Sequence, residues 1–173
     1  MKLFTRREAP PADAVAQLDR SERLLSWADA GELVVMATPR GIWWPDGDGH
    51  RLMGWQFVDK ATWRDNILTV IEAEVVDELF LVDRPAVQLT LTTPRDLPPT
   101  IRKRVEANVV RSELLSVPGG AARFVARRIP GEDGVVWRAR LENGAADTEQ
   151  IRSAVSARLA ILRAEWDGGR AQR

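Results

Sequence analysis

From Glu22 to Thr92 the apolar positions come in short runs: RLLSWA, ELVVMA, GIWW, RLMGWQFV, NILTVIEAEV, ELFLV and AVQLTLT. The breaks between them are turn-forming: Asp-Ala-Gly, Thr-Pro-Arg-Gly, Pro-Asp-Gly-Asp-Gly, Arg-Asp-Asn and Val-Asp-Arg-Pro. Short segments rich in Val, Ile, Leu, Thr and Trp, with no helical run between them, predict an antiparallel meander and not βαβ units. Seven such strands would close or nearly close on themselves. Leu68 and Val70 alternate with Thr69, and Val87, Leu89 and Leu91 alternate with Gln88, Thr90 and Thr92, so each strand is expected to be half-buried.

The period then changes. Leu97-Pro98-Pro99 ends the sheet, and TIRKRVEANVVRSELL carries Ile101, Val105 and Val109 at helical spacing, with the prolines at or before the first turn. An amphipathic helix is expected there, docked by one stripe on the open end or face of the sheet. After Pro118-Gly119-Gly120, AARFVARRIP, a Gly-Glu-Asp-Gly turn and VVWRARL predict a β-hairpin. Asp147 is the expected N-cap of a last helix, with Gln150 three residues on, Ile151, Val155, Leu159, Leu162 and Trp166 on one face, and Gly168-Gly169 at its end. The organisation read from the chain is an N-terminal segment over 1–20 with a loose start and a short helix using Val15 and Leu18, a β-domain with its helix over 21–114, a ββα extension packed on it over 115–167, and a frayed tail over 168–173. The fold class is α+β.

The β-domain resembles the short pleckstrin-homology-like (PH-like) domains of bacteria. The similarity rests on ELVVMATPRGIWW with its Thr38-Pro39-Arg40 hairpin, on GWQFVDKATWRDNILTVIEAE, and on AVQLTLT followed by an amphipathic helix. The chain is also similar to uncharacterised actinobacterial proteins. The resemblance implies a seven-stranded, strongly bent antiparallel barrel or sandwich capped by a helix, and a binding or scaffolding role in place of catalysis. Phosphoinositide binding in that family needs Lys and Arg between the first two strands. Here that loop, Ala28-Asp29-Ala30-Gly31-Glu32, holds two acids and no base.

Composition narrows the chemistry. The chain has 173 residues, no Cys, one His and a formal net charge of zero. Thiol catalysis, disulfides and Cys-based zinc sites are excluded, and nothing pulls the whole molecule towards nucleic acid or anionic membrane. Of the 25 basic residues, 22 are Arg and 3 are Lys, a balance typical of GC-rich bacterial genomes. MKLFTRREAPPADA lacks the apolar core of a secretory signal, so cytoplasmic residence is the expectation. Charge is nevertheless segregated: Asp46–Asp83 holds nine acids and three bases, Arg95–Arg140 ten bases and five acids.

Candidate chemistry is sparse. Asp46-Gly47-Asp48-Gly49-His50 is not a calcium loop, because Arg51 and Phe57 stand where Gly and Glu are required. Gly and Asp between two strands are what a hairpin turn uses, which leaves His50 as a turn residue. No phosphate loop and no Gly-x-Ser-x-Gly elbow is present. No metal site, cofactor or catalytic residue is assigned. Trp43 and Trp44 are adjacent, so in a strand they face opposite sides and a single barrel wall buries only one of them. The other is covered by the N-terminal segment, by the ββα extension or by a partner. Trp55 and Phe57 would share a strand face with Arg51 and Met53, while Trp63 falls in a turn-rich segment. Arg138 and Arg140 share a face, as do Arg123 and Arg127, and like charges set side by side call for acids nearby, from the β-domain or from another molecule. The binding candidates are therefore Trp43, Trp44, Arg123, Arg127, Arg138 and Arg140, and the leading expectation is a non-enzymatic module for an unidentified protein partner or self-association. A small-ligand barrel or enzyme with Glu72, Glu74 and His50 at its mouth is one alternative. Anionic-lipid or nucleic-acid binding through the Arg-rich hairpin is the other.

Overall fold

Hairpin chemistry builds the first sheet in a computed structural model that describes residues 8–170. Strands β1 (Ser26–Ala30), β2 (Leu33–Ala37), β3 (Gly41–Asp46) and β4 (Gly49–Gly54) pair antiparallel in sequence order. Asp46 pairs with Gly49 across a two-residue turn whose Gly47 has φ of 57°, so the Asp-Gly-Asp-Gly run is a hairpin turn as expected. At Gly41 the backbone of β4 comes so close that a Cβ would sit 2.1 Å from the carbonyl oxygen of Met53.

Beyond β4 the chain departs from the expected strand. Trp55–Phe57 is a single 3-10 turn, so Trp55 and Phe57 do not continue the face of Arg51 and Met53. The turn is pinned by Trp55, whose N–H donates to Arg40 O at 3.2 Å and whose indole Nε1–H donates to Thr38 O at 3.0 Å. Strand β5 (Val58–Arg64) follows, an element the apolar pattern does not reveal because VDKATWR has no continuous stripe. It exists through pairing with β6 (Ile67–Val76), across a turn whose Asp65 and Asn66 have φ of 50° and 65°.

Strands β7 (Phe80–Asp83) and β8 (Val87–Thr90) both return along the other edge of β6, β7 on Ala73–Val76 and β8 on Ile67–Val70. The break between them contains Pro85, which has no N–H for the ladder. Eight strands thus precede the helix where seven were expected. An antiparallel bridge between Asp29 and Thr93 ties β1 to the end of this meander, and the interior holds Val35, Ile42, Trp44, Met53, Trp55, Leu68, Val70 and Leu91. Helix α2 (Leu97–Asn108), with Pro at its start, buries Leu97 and Ile101 in that core.

The helix stops at Asn108, not near Leu115. Val109–Val117 is strand β9, so Val109, expected on the helical stripe, is the first strand residue. Two β-branched residues in succession weaken the helix, and the following residues pair with β10 (Gly120–Arg127). Reciprocal bonds hold the junction: Asn108 Nδ2 donates to Arg128 O at 2.7 Å, and Arg128 N–H donates to Asn108 O at 3.0 Å. The C-terminal unit is therefore β9, β10, β11 (Val136–Glu142) and helix α3 (Glu149–Arg170), one strand more than ββα. Its N-cap is Thr148, whose Oγ1 accepts the Ile151 N–H at 3.3 Å, while Asp147 pairs with Arg152 instead. α3 continues through Gly168 and Gly169, so these glycines do not end it. Residues 1–7 and 171–173, which carry the expected loose start and half of the expected tail, lie outside the described range.

β11 joins the first unit by one parallel pairing, Ala139 with Phe80 of β7, making a mixed seven-stranded sheet. Ala122, Ala126 and Ala139 leave room beside Phe124 and Trp137 for Ile151, Val155, Leu159 and Leu162 of α3, which form a second core. Among the described residues no helix is long and apolar enough to cross a membrane.

Replacing Gly41 by Ala should lower unfolding free energy by at least about 2 kcal/mol, since the added methyl meets backbone and not a movable side chain. Urea denaturation at unchanged m-value measures it.

Candidate functional site

Both members of the Trp pair are covered by the chain itself. Trp44 lies in the barrel core and is 6% exposed, and Trp43, on the opposite face, is 8% exposed. Over Trp43 lies a third cluster with Ala14 of helix α1 (Ala12–Ala16), Trp27, Val34 and Met36, flanked by Leu18 and Leu24. Polar clamps hold this segment down. Arg95 donates to Asp29 Oδ2 at 2.7 Å and Glu8 Oε2 at 2.8 Å, with its guanidinium 3.5 Å from the Trp27 ring centre. His50 is part of the same fastening and not a free turn residue: its Nε2 lies 2.7 Å from Val34 O and its Nδ1 2.9 Å from Gln17 Oε1. The open tryptophan face anticipated as a docking surface is thus closed by the N-terminal segment, because adjacent tryptophans put a large apolar ring on each face of β3.

The arginines meet as the alternation predicted. Arg123 pairs directly with Arg140, and Arg138 lies opposite Val125, so Arg123, Arg127, Arg138 and Arg140 project from one side of the β10–β11 hairpin. Acids of the first unit, Asp59 and Asp83, and Glu142 of β11 itself neutralise part of this row. Asp59 of β5 is 3.5 Å from Arg127 and 3.0 Å from Arg140, Asp83 of β7 is 2.6 Å from Arg140, and Glu142 holds Arg123 at 2.7 Å. The row is largely an internal seam between the two units, not a solvent-facing stripe. Burial pushes the guanidinium pKa of Arg127 down against the opposing pull of Asp59. Burial does the same at Arg138, with Arg163 adding to it.

Glu72, Glu74 and His50 do not converge. Glu72 bridges the two sheets through Arg51 at 2.7 Å, Glu74 is held by Arg84 at 3.1 Å, and His50 sits with Gln17 at the N-terminal segment. Arg84 also reaches Glu72, at 3.7 Å, so the two carboxylates are engaged with arginines while His50 lies apart, and the three make no shared acid-base site. Among the described residues no cluster of His and carboxylates suited to a metal ion is present.

An open cleft lies elsewhere. It encloses about 690 Å³ between β5 and α2, within the range of ligand pockets. Asp59, Lys60, Ala61, Thr62 and Trp63 all line it. Consecutive strand residues point to alternate faces, so five in a row can border one cleft only if it runs along the edge of the strand. The facing wall is Ile101 and Val105 of α2, Leu68 closes the floor, and an Arg102–Glu106 pair at 2.9 Å marks the rim. Arg64 and Ile67 flank a two-residue turn, so they exchange both hydrogen bonds of their pair. Counting back along the ladder, Ala61 and Trp63 direct their backbone N–H and C=O away from β6, into this cleft. Trp63 is 48% exposed there. The sequence offers one signal for the site, a large aromatic in a segment too polar for a core strand.

No family model, no curated protein and no solved structure matches the chain.

Because Asp59 serves two guanidiniums, Asp59→Asn should cost about 2–4 kcal/mol by leaving Arg127 and Arg140 under-neutralised. A double-mutant cycle with Arg127→Met should recover part of that loss, read from chemical denaturation midpoints.

Proposed function

We propose that residues 26–108 form a PH-like unit that binds an extended peptide segment of a partner protein by adding it as a strand to β5. The carrying observation is the unpaired edge of β5 lining a cleft walled by α2. The architecture fits this reading: the four-stranded sheet β1–β4 and the antiparallel strands β5–β8, with a terminal helix packed into their shared core. Strand addition takes its affinity from main-chain hydrogen bonds and its selectivity from alternate side-chain pockets. Ala61 and Trp63 offer those bonds. Leu68, Ile101 and Val105 accept an apolar side chain beneath α2, and the Trp63 ring packs on the next residue along the same face of the peptide. β5 is short, so the bound stretch is four or five residues.

Anionic headgroups are a poorer fit. The β1–β2 turn is Gly31-Glu32, with Asp29 close by on β1 and no base, and the Gly31 N–H is bonded to Thr92 Oγ1 at 3.3 Å. The basic hairpin is engaged with Asp59, Asp83 and Glu142.

Selection from a displayed random-peptide library on the full chain, followed by calorimetry with the selected peptides, tests the reading. Enriched sequences should be extended and apolar. Ala61→Pro removes an outward N–H without touching the β5–β6 ladder and should weaken binding at least about tenfold, as should Trp63→Ala. Unchanged circular dichroism confirms that the variants fold. Peptides that bind both variants as tightly as the parent overturn the proposal.

A further inference from the structure

The seam between the two units encloses a second, smaller cavity, of about 80 Å³. Phe57 of the 3-10 turn, Val75 of β6, Leu81 of β7 and Val125 of β10 give it apolar walls, and its polar lining is Gln56, Arg127 and Arg138. All three of these polar residues bring a buried atom with no partner: Gln56 Oε1, Arg127 Nε and Arg138 Nε. Native interiors rarely leave such groups unsatisfied, and each demands a bound molecule or an energetic reason.

Charge points to the kind of molecule. The Arg127 side chain is 7% exposed, and its Nη1 is spent on Val58 O at 3.1 Å. Its carboxylate neighbour Asp59 is shared with Arg140. Arg138 donates through Nη1 to Trp137 O at 3.1 Å and has no carboxylate within 4.0 Å among the described residues. A guanidinium does not shed its proton, so neither group escapes burial by becoming neutral. The cavity is therefore cationic at one end and apolar over the rest.

We propose that this cavity binds a small aliphatic monocarboxylate, its oxygens accepting the free N–H groups of Arg127 and Arg138 and its alkyl end resting on Val75 and Leu81. An inorganic oxyanion presents oxygens on every side, and the apolar walls would strip their water without replacing it. The space is small, so an acid of two or three carbons fits it best. The ligand touches β6, β7 and the 3-10 turn of the first unit together with the hairpin of the second, so its binding locks the two together. This site is separate from the β5 cleft and does not depend on its function.

The test uses the purified full chain with acetate, propionate, hexanoate, inorganic phosphate and chloride at matched ionic strength, read by calorimetry and thermal midpoint. Acetate or propionate should bind saturably and raise the midpoint in step with occupancy, while hexanoate, phosphate and chloride should not. Arg138→Met keeps the apolar stem and breaks no ion pair, and should weaken binding at least about tenfold. Val75→Leu, which fills the cavity, should also reduce it while leaving the fold intact. The proposal is overturned if neither short acid binds, leaving a cavity filled by water only. It fails equally if Arg138→Met binds as the parent does, or if phosphate or chloride matches propionate.

Discussion

Strand β6 is paired along its whole length, on both edges over Ile67–Val70 and on one edge beyond, and both units depend on that pairing. Its first half runs between β5 and β8 inside the barrel, and its second half leaves the barrel with β7 as a two-stranded arm. β11 attaches to this arm, so the C-terminal sheet extends the same hydrogen-bonded array. The sheet built around it ends in β5 at one side and β9 at the other. The cleft proposed as a peptide site is a consequence of how β6 is shared, because β5 is where the array ends beside a helix.

Electrostatics then sets how the units meet. The arginines of β10 and β11 face the acids of β5 and β7, which gives the segregation of charge along the chain a structural meaning. The match is incomplete. Asp59 answers to two arginines, Arg138 feels Glu78 only at a distance, with no carboxylate within 4.0 Å among the described residues, and the residual positive charge borders the apolar seam cavity. Partial neutralisation at a buried interface is costly unless another anion completes it, and this is the physical basis of the proposed carboxylate site.

The N-terminal segment does a different job. A strand wall in a single-layer barrel exposes its outer face, and Trp27, Met36 and Trp43 make that face strongly apolar. Helix α1 and the residues after it cover these rings, while His50, Arg40 and Arg95 anchor the segment at its polar margins; Arg40 pairs with Asp19 and Glu22. The candidate docking surface and the segment that covers it are thus parts of one packing solution.

Local chemistry in the chain was enough to establish the α+β class, the strands with clean alternation such as β6 and β8, the Gly47-Asp48 turn, the start of α2 and the inward stripe of α3. It also established that Arg123, Arg127, Arg138 and Arg140 share a face and need acids. Those features rest on period, turn propensity and register, which neighbouring residues determine. The tertiary structure decided the rest. VDKATWR becomes a strand because β6 offers an edge, and Val109–Val117 leaves the helix because β10 offers another. Trp43 is buried because a segment distant along the chain folds over it. Each outcome depends on a partner remote in sequence, and backbone pairing and burial are energies of the pair, which no local pattern contains.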